Sequence, residues 1–204
     1  MERKFIWVTV IIMVVLAGAT TILLLTQGPS YRGVLYEPPL PAYDFSLTAA
    51  DGETVALHDF RGQVVLLYFG YTSCPDVCPT TLAEFRQVQA GLGVDAGRVQ
   101  VIFITVDPER DTAERIQNYI SAFDPSFIGL GGDLPALEAA WQAYGVFREV
   151  DETTVTAAGY LVTHSTRSYL VAPDGKLFLS YSYGTPADDI LHDISLILEK
   201  GIGK

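Results

Sequence analysis

Cysteine is nearly absent from this chain: two residues, Cys74 and Cys78, among 204. Two are too few to staple a domain of this size, so the core has to be hydrophobic and the pair is left for other chemistry. Basic residues are also scarce, with 13 Lys and Arg against 24 Asp and Glu and a formal net charge of −11. Residues 1–27 hold Glu2, Arg3 and Lys4, a net of +1, so the remainder carries −12. A surface that acidic repels phosphate backbones and excludes nucleic acid as a partner. Histidine occurs only at positions 58, 164 and 192, and methionine only at Met1 and Met13. There is no internal repeat, no low-complexity segment, and a single long apolar run.

That run is Phe5 to Leu25, uncharged and interrupted only by Thr9, Gly18, Thr20 and Thr21. As a helix rising ~1.5 Å per residue it spans roughly 30 Å, the thickness of a bilayer's hydrocarbon core. Arg3 and Lys4 precede it, which predicts a cytoplasmic N-terminus and an extracytoplasmic remainder. Ala17-Gly18-Ala19 has the small residues of a signal-peptide cleavage site. Cleavage there strands Ile22 to Leu25 as an apolar tail, so the reading is an uncleaved single-pass anchor over residues 1–27. Residues 28–41 contain Gly28-Pro29 and Glu37-Pro38-Pro39-Leu40-Pro41 and read as an extended Pro-rich linker, leaving 42–204 as one domain.

Strand and helix signals alternate along that domain. Phe45–Thr48 and Thr54–Leu57 flank Asp51-Gly52, a hairpin signal. Val64–Phe69 and Val99–Val106 are apolar runs that suit strands buried on both faces, and Leu82, Phe85, Val88 and Leu92 put a helix between them. Asp111 and Glu114 form a capping-box pattern ahead of Ile116, Tyr119, Ile120 and Phe123. A short strand near Phe127–Leu130 leads into a helix ending near Gly145. A second hairpin, Ser168–Ala172 with Leu177–Ser182, is followed by a helix opened by Thr185-Pro186. Two buried strands joined through a helix imply a right-handed parallel crossover, and the terminal hairpin adds antiparallel strands. The expected fold is an α/β, thioredoxin-like mixed sheet flanked by helices, with a transmembrane helix ahead of it.

The segment Tyr71-Thr72-Ser73-Cys74-Pro75-Asp76-Val77-Cys78-Pro79-Thr80 lies between the first buried strand and the next helix. Ligand sites of α/β folds collect at strand carboxyl ends, and a helix N-terminus favours thiolate over thiol. A structural disulfide closing so short a loop gains only about 2 kcal/mol, weak justification for the pair. Three residues between the cysteines, against the two usual in thiol oxidoreductases, let both sulfurs face one ion and still permit a disulfide. Spacing alone leaves both chemistries open.

The segment resembles the SCO/SenC family, whose hallmark is Cys-Pro-x-x-Cys-Pro in this loop, here Cys74 to Pro79. The resemblance runs over roughly Pro41 to Leu198. It takes in Asp59-Phe60-Arg61-Gly62-Gln63, Tyr68-Phe69-Gly70-Tyr71-Thr72, Thr105-Val106-Asp107-Pro108-Glu109-Arg110-Asp111-Thr112 and His164-Ser165. It implies a copper site of Cys74, Cys78 and His164. Two thiolates and one imidazole suit three-coordinate Cu(I), or Cu(II) with a further donor. Structural zinc wants a fourth protein ligand, and none is evident; a blue-copper centre wants two histidines and usually a methionine, and Met1 and Met13 both lie outside the domain. His58 and His192 read as surface residues. The family commonly has an aspartate before its histidine, whereas this chain has Thr163.

The implied role is a membrane-anchored copper metallochaperone for the binuclear copper site of cytochrome c oxidase subunit II. It would sit in a bacterial cell membrane with its domain outside. The alternative is a thiol–disulfide oxidoreductase that reduces the cysteines of that copper site through Cys74 and Cys78. A peroxidase-type relative would need a threonine and arginine around one cysteine, which Thr80, Thr81 and Arg167 do not supply convincingly. Asp107 and Asp111 read as turn and cap residues on the same rim, with support of the site or docking as the functional option.

Overall fold

Val64–Gly70 is the most apolar stretch of the domain, and all seven of its residues are buried. It forms β4, at the centre of a six-stranded sheet ordered β1-β10-β9-β4-β5-β6 in the computed structural model. The outer members are β1 (Val34–Pro41), β5 (Val99–Thr105), β6 (Ile128–Leu130), β9 (Ser168–Val171) and β10 (Lys176–Tyr181). β4, β5 and β6 run parallel, while β9 lies antiparallel to β4, and β10 and β1 follow antiparallel. β5 is buried except at Gln100, whose Nε2 donates to the Ser126 carbonyl at 2.8 Å. Two further two-stranded sheets pair β2 (Ser46–Thr48) with β3 (Thr54–Ala56), and β7 (Arg148–Thr156) with β8 (Gly159–His164).

The structure describes residues 6–8, 12–20, 30–156 and 159–203. The chain divides into two units, residues 1–30 and 31–204. In the first, residues 6–8 and 12–20 are helical. Among the described residues no helix is long and apolar enough to cross a membrane. Much of the expected span, Phe5 to Leu25, lies outside the described residues.

Four helices accompany the sheet: α1 (Val77–Gly91), α2 (Ala113–Ser121), α3 (Leu134–Ala143) and α4 (Ala187–Lys200). α1 packs on α4 and α2 on β5 and β6. α3 starts where Asp133 accepts the Ala136 N–H at 2.9 Å, with proline in its first turn. The mixed α/β layout agrees with the sequence reading, and β4–α1–β5 is the crossover that places the cysteine loop at a strand's carboxyl end.

Three elements differ from the sequence reading. The second half of the expected linker is strand β1, paired with β10 on the sheet edge. Its prolines fit because an edge strand tolerates missing donors, and the ladder is irregular between Leu35 and Leu40. The β7–β8 hairpin has no counterpart in the sequence reading, and it ends on His164. The cap of α2 is Thr112, which accepts the Arg115 N–H at 3.2 Å, and not Asp111. Asp111 is buried and turned toward the cysteine loop.

Candidate metal centre

Gly70 ends β4, and the chain passes through a turn closed by the Cys74 N–H donating to the Tyr71 carbonyl at 3.2 Å. α1 then begins at Val77 without a side-chain oxygen cap on Asp76. Cys74 fills that role: its Sγ accepts the Cys78 N–H at 3.4 Å, so a helix N-terminus points at sulfur. Cys74 is half-buried, whereas Cys78 is completely buried. Gly70 makes room for that: a Cβ there would stand 2.9 Å from Cys78 Sγ and 2.9 Å from the Phe103 ring. The Tyr68 hydroxyl donates to Cys78 Sγ at 3.6 Å.

Both cysteines are free thiols. Cys74 is lowered from 9.0 to about 3, chiefly by the hydrogen bond from the Cys78 thiol. His164 and the backbone N–H groups of Asp76 and Cys78 add to that effect, while burial opposes it. Cys78 is raised well above 9.0 by its burial, and next by its contact with Cys74. The two thiols titrate as a coupled pair, in which the half-buried Cys74 is favoured as the thiolate and Cys78 as the thiol.

His164 arrives from the opposite side on β8, and its Nε2 lies 3.9 Å from Cys78 Sγ. Its Nδ1 donates to the Ser165 carbonyl at 2.7 Å, which orients the ring with Nε2 toward the sulfurs. Tyr71 stands edge-on to the imidazole at 5.8 Å between centroids, and its hydroxyl accepts the Val162 N–H at 3.4 Å. A cavity of about 240 Å³ opens beside these groups, lined by Tyr71, Cys74, Pro75, Val77, Leu161 and His164 among others.

Two donors bound to one ion at ~2.0–2.3 Å stand roughly 3.7 Å apart at a trigonal angle, so the Cys78–His164 separation fits a shared ion. Among the described residues no group of three or more His, Cys, Asp or Glu side chains is drawn together tightly enough to hold an ion as it stands. The three donors form an open triangle that a soft ion would have to draw in. The donor chemistry, one thiolate, one thiol that can ionise and one imidazole, suits Cu(I) better than a hard cation.

A family model described as SCO1/SenC matches residues 37–199. The chain belongs to the SCO1/SenC family. The bovine mitochondrial protein SCO2 homolog is 39% identical over 153 residues, covering 74% of this chain and 57% of the relative. The chain spans about half the length of the curated relatives that it matches. The solution structure of apo Sco1 from Thermus thermophilus superposes with a TM-score of 0.74 at 39% identity, covering 82% of this chain and 97% of that one. The copper-bound ScoI of Arabidopsis thaliana superposes at 0.72 with 30% identity, covering 78% and 99%.

Within this SCO1/SenC chain, the three residues singled out from sequence meet at one place. The other two histidines do not join them. His58 is exposed and its Nδ1 bonds Asp44 Oδ2 at 2.8 Å, and His192 is exposed on α4. Thr163 is exposed and opposes Glu149 across the ladder. The orientation that a neighbouring carboxylate would give the imidazole comes instead from the Ser165 carbonyl. Tyr68, Gly70 and Ser165 escaped the sequence reading as parts of the site. Tyr68 and Gly70 sit in a run whose apolar character says only that it is buried, and a carbonyl acceptor leaves no mark on residue type.

Proposed function

We propose that this chain is a copper metallochaperone that holds copper as cargo on Cys74, Cys78 and His164. The observation that carries the reading is the 3.9 Å approach of His164 Nε2 to Cys78 Sγ, with the Cys74 sulfur accepting the Cys78 N–H at 3.4 Å. Family membership supports it, as does the copper bound by the Arabidopsis relative. The partner is the binuclear copper site of cytochrome c oxidase subunit II. Copper passes to it by ligand exchange at the open cavity, with no chemical turnover. Residues 1–27 anchor the protein in the membrane and the domain works on the extracytoplasmic face. X-ray absorption of the copper-loaded protein is expected to show two sulfurs and one nitrogen at the metal. Anaerobic Cu(I) titration of the His164→Ala variant is expected to show weakened binding; unchanged affinity would exclude the three-donor site.

One feature favours a second reading, a thiol–disulfide reductase: the half-buried Cys74 is the sulfur whose pKa is lowered, while burial raises that of Cys78 behind it. In that reaction Cys74 attacks a sulfur of the partner's disulfide and expels one partner thiolate. Cys78, passing its proton to the partner thiolate already released, then attacks Cys74 Sγ and expels the second partner thiolate. The partner gains two electrons and Cys74–Cys78 becomes a disulfide. The same His164→Ala variant separates the readings, because reductase activity needs both cysteines and not the imidazole.

A further inference from the structure

The turn between β5 and α2 carries two carboxylates that are buried almost completely, Asp107 and Asp111. A buried carboxylate is costly unless its oxygens are hydrogen-bonded, and each of these spends its bonds on a different part of the site.

Asp111 turns to the cysteine side. Its Oδ2 accepts the Thr72 N–H at 3.0 Å and the Thr105 hydroxyl at 2.9 Å, and its Oδ1 accepts the Thr72 hydroxyl at 2.5 Å. Arg115, in the first turn of α2, completes the grip: Nε donates to Thr72 Oγ1 at 2.9 Å and Nη2 to Ser73 Oγ at 3.0 Å. Thr72 and Ser73 are the two residues directly ahead of Cys74.

Asp107 turns to the histidine side. Its Oδ1 accepts the Tyr160 hydroxyl at 2.7 Å and its Oδ2 accepts Arg110 Nε at 2.5 Å. The Arg110 guanidinium lies 3.6 Å over the Tyr160 ring, and its Nη1 donates to the Tyr160 carbonyl at 2.9 Å. Arg148, paired directly opposite His164 in the β7–β8 ladder, reaches the same turn. Its Nε donates to the Val106 carbonyl at 2.5 Å and its Nη2 to Glu109 at 2.6 Å.

We infer that the Asp107–Asp111 turn is a two-armed brace that sets the cysteine loop and the histidine hairpin at their working separation, with Asp111 and Arg115 holding one and Asp107, Tyr160 and Arg148 the other. These are positioning residues, since none touches the reacting atoms. The inference rests on the metal reading for its purpose, and on the hydrogen bonds alone for its mechanics. The hairpin lies outside the six-stranded sheet, so its height over Cys78 depends on rim contacts, of which this turn supplies those to Tyr160 and Arg148 and Tyr71 the one to Val162.

Two variants of the whole chain test the brace: Arg115→Ala, whose side chain is half exposed, and Arg148→Ala. Hydrogen exchange is followed over residues 72–78 and 159–165 in the reduced, metal-free protein, together with Cu(I) affinity by competition. Arg115→Ala is expected to speed exchange about fivefold or more over 72–78 and leave 159–165 within about twofold, and Arg148→Ala the reverse. Each is expected to weaken copper by about tenfold at an unchanged global unfolding midpoint. If Arg148→Ala fails to fold, Tyr160→Phe removes one bond of the same arm and replaces it. Exchange that rises equally in both segments, or in neither, overturns the brace. A parent chain that takes no copper but shows the segment-specific exchange upholds the brace and overturns the copper reading.

Discussion

Cys74 and Cys78 carry the same side chain but hold their protons oppositely, because one sulfur faces a helix N-terminus and a neighbouring thiol while the other is sealed under Gly70 and Tyr68. The folded protein holds fewer protons on Cys74 than the unfolded chain does between about pH 3 and pH 9. Its contribution to stability therefore grows as pH rises through that window and is lost on acidification. Cys78 acts in the opposite sense above pH 9.0, where the folded state retains a proton that the unfolded chain has released. Alkylation of the reduced, metal-free protein at pH 6 is expected to label Cys74 and spare Cys78. Cys78→Ala removes the hydrogen bond that does most to hold Cys74 down, so the pH midpoint of Cys74 alkylation is expected to rise. Mass spectrometry of the labelled peptides across pH checks this; a fixed midpoint would mean that another group sets the thiolate.

At the scale of elements, the chain entering the domain is tied down by a residue far along it. Asp193 on α4 is completely buried. It accepts the backbone N–H groups of Arg32 and Gly33 at 2.8 to 3.0 Å and the Tyr181 hydroxyl at 3.3 Å. Asp193→Ala leaves those donors without their acceptor, an expected cost of about 1–3 kcal/mol for each unsatisfied group. Trypsin cleavage after Arg32 is then expected to quicken well before the sheet unfolds, which a digestion time course reads directly. This tie illustrates what sequence conceals. β4, β5 and the final helix were legible because core burial writes itself as apolar runs and helical spacing. β1 was not, because Pro38, Pro39 and Pro41 spell an extended spacer whether or not β10 lies alongside. The β7–β8 hairpin was hidden for another reason: it is held by Arg148, Tyr160 and Tyr71 at the rim, and β7 has only Val150 and Val155 among polar residues, too few apolar positions to mark a strand. Cys74, Cys78 and His164 stood out only through residue type and family pattern. Asp111 was misread because an aspartate before a helix usually caps it, and only the fold reveals Thr72 within its reach.

For the whole molecule, the donors come from segments far apart in sequence, Cys74 and Cys78 in one and His164, 86 residues after Cys78, in the other. An ion bound as proposed would join them only in the folded state, so copper is expected to raise the thermal midpoint. Free copper at a hundred times its dissociation constant adds about 2.7 kcal/mol to unfolding. His164→Ala is expected to give a smaller rise in differential scanning calorimetry at the same free copper, and an equal rise would leave the hairpin out of the site. The difference in exposure between the two sulfurs would give the proposed delivery a direction. An incoming thiolate meets the half-exposed Cys74 from the cavity, while Cys78 is closed off behind it by Tyr68, Gly70 and Phe103. Cargo held as proposed would give up its outer sulfur first and its inner sulfur last, so such a site would work as a turnstile whose steps follow one order.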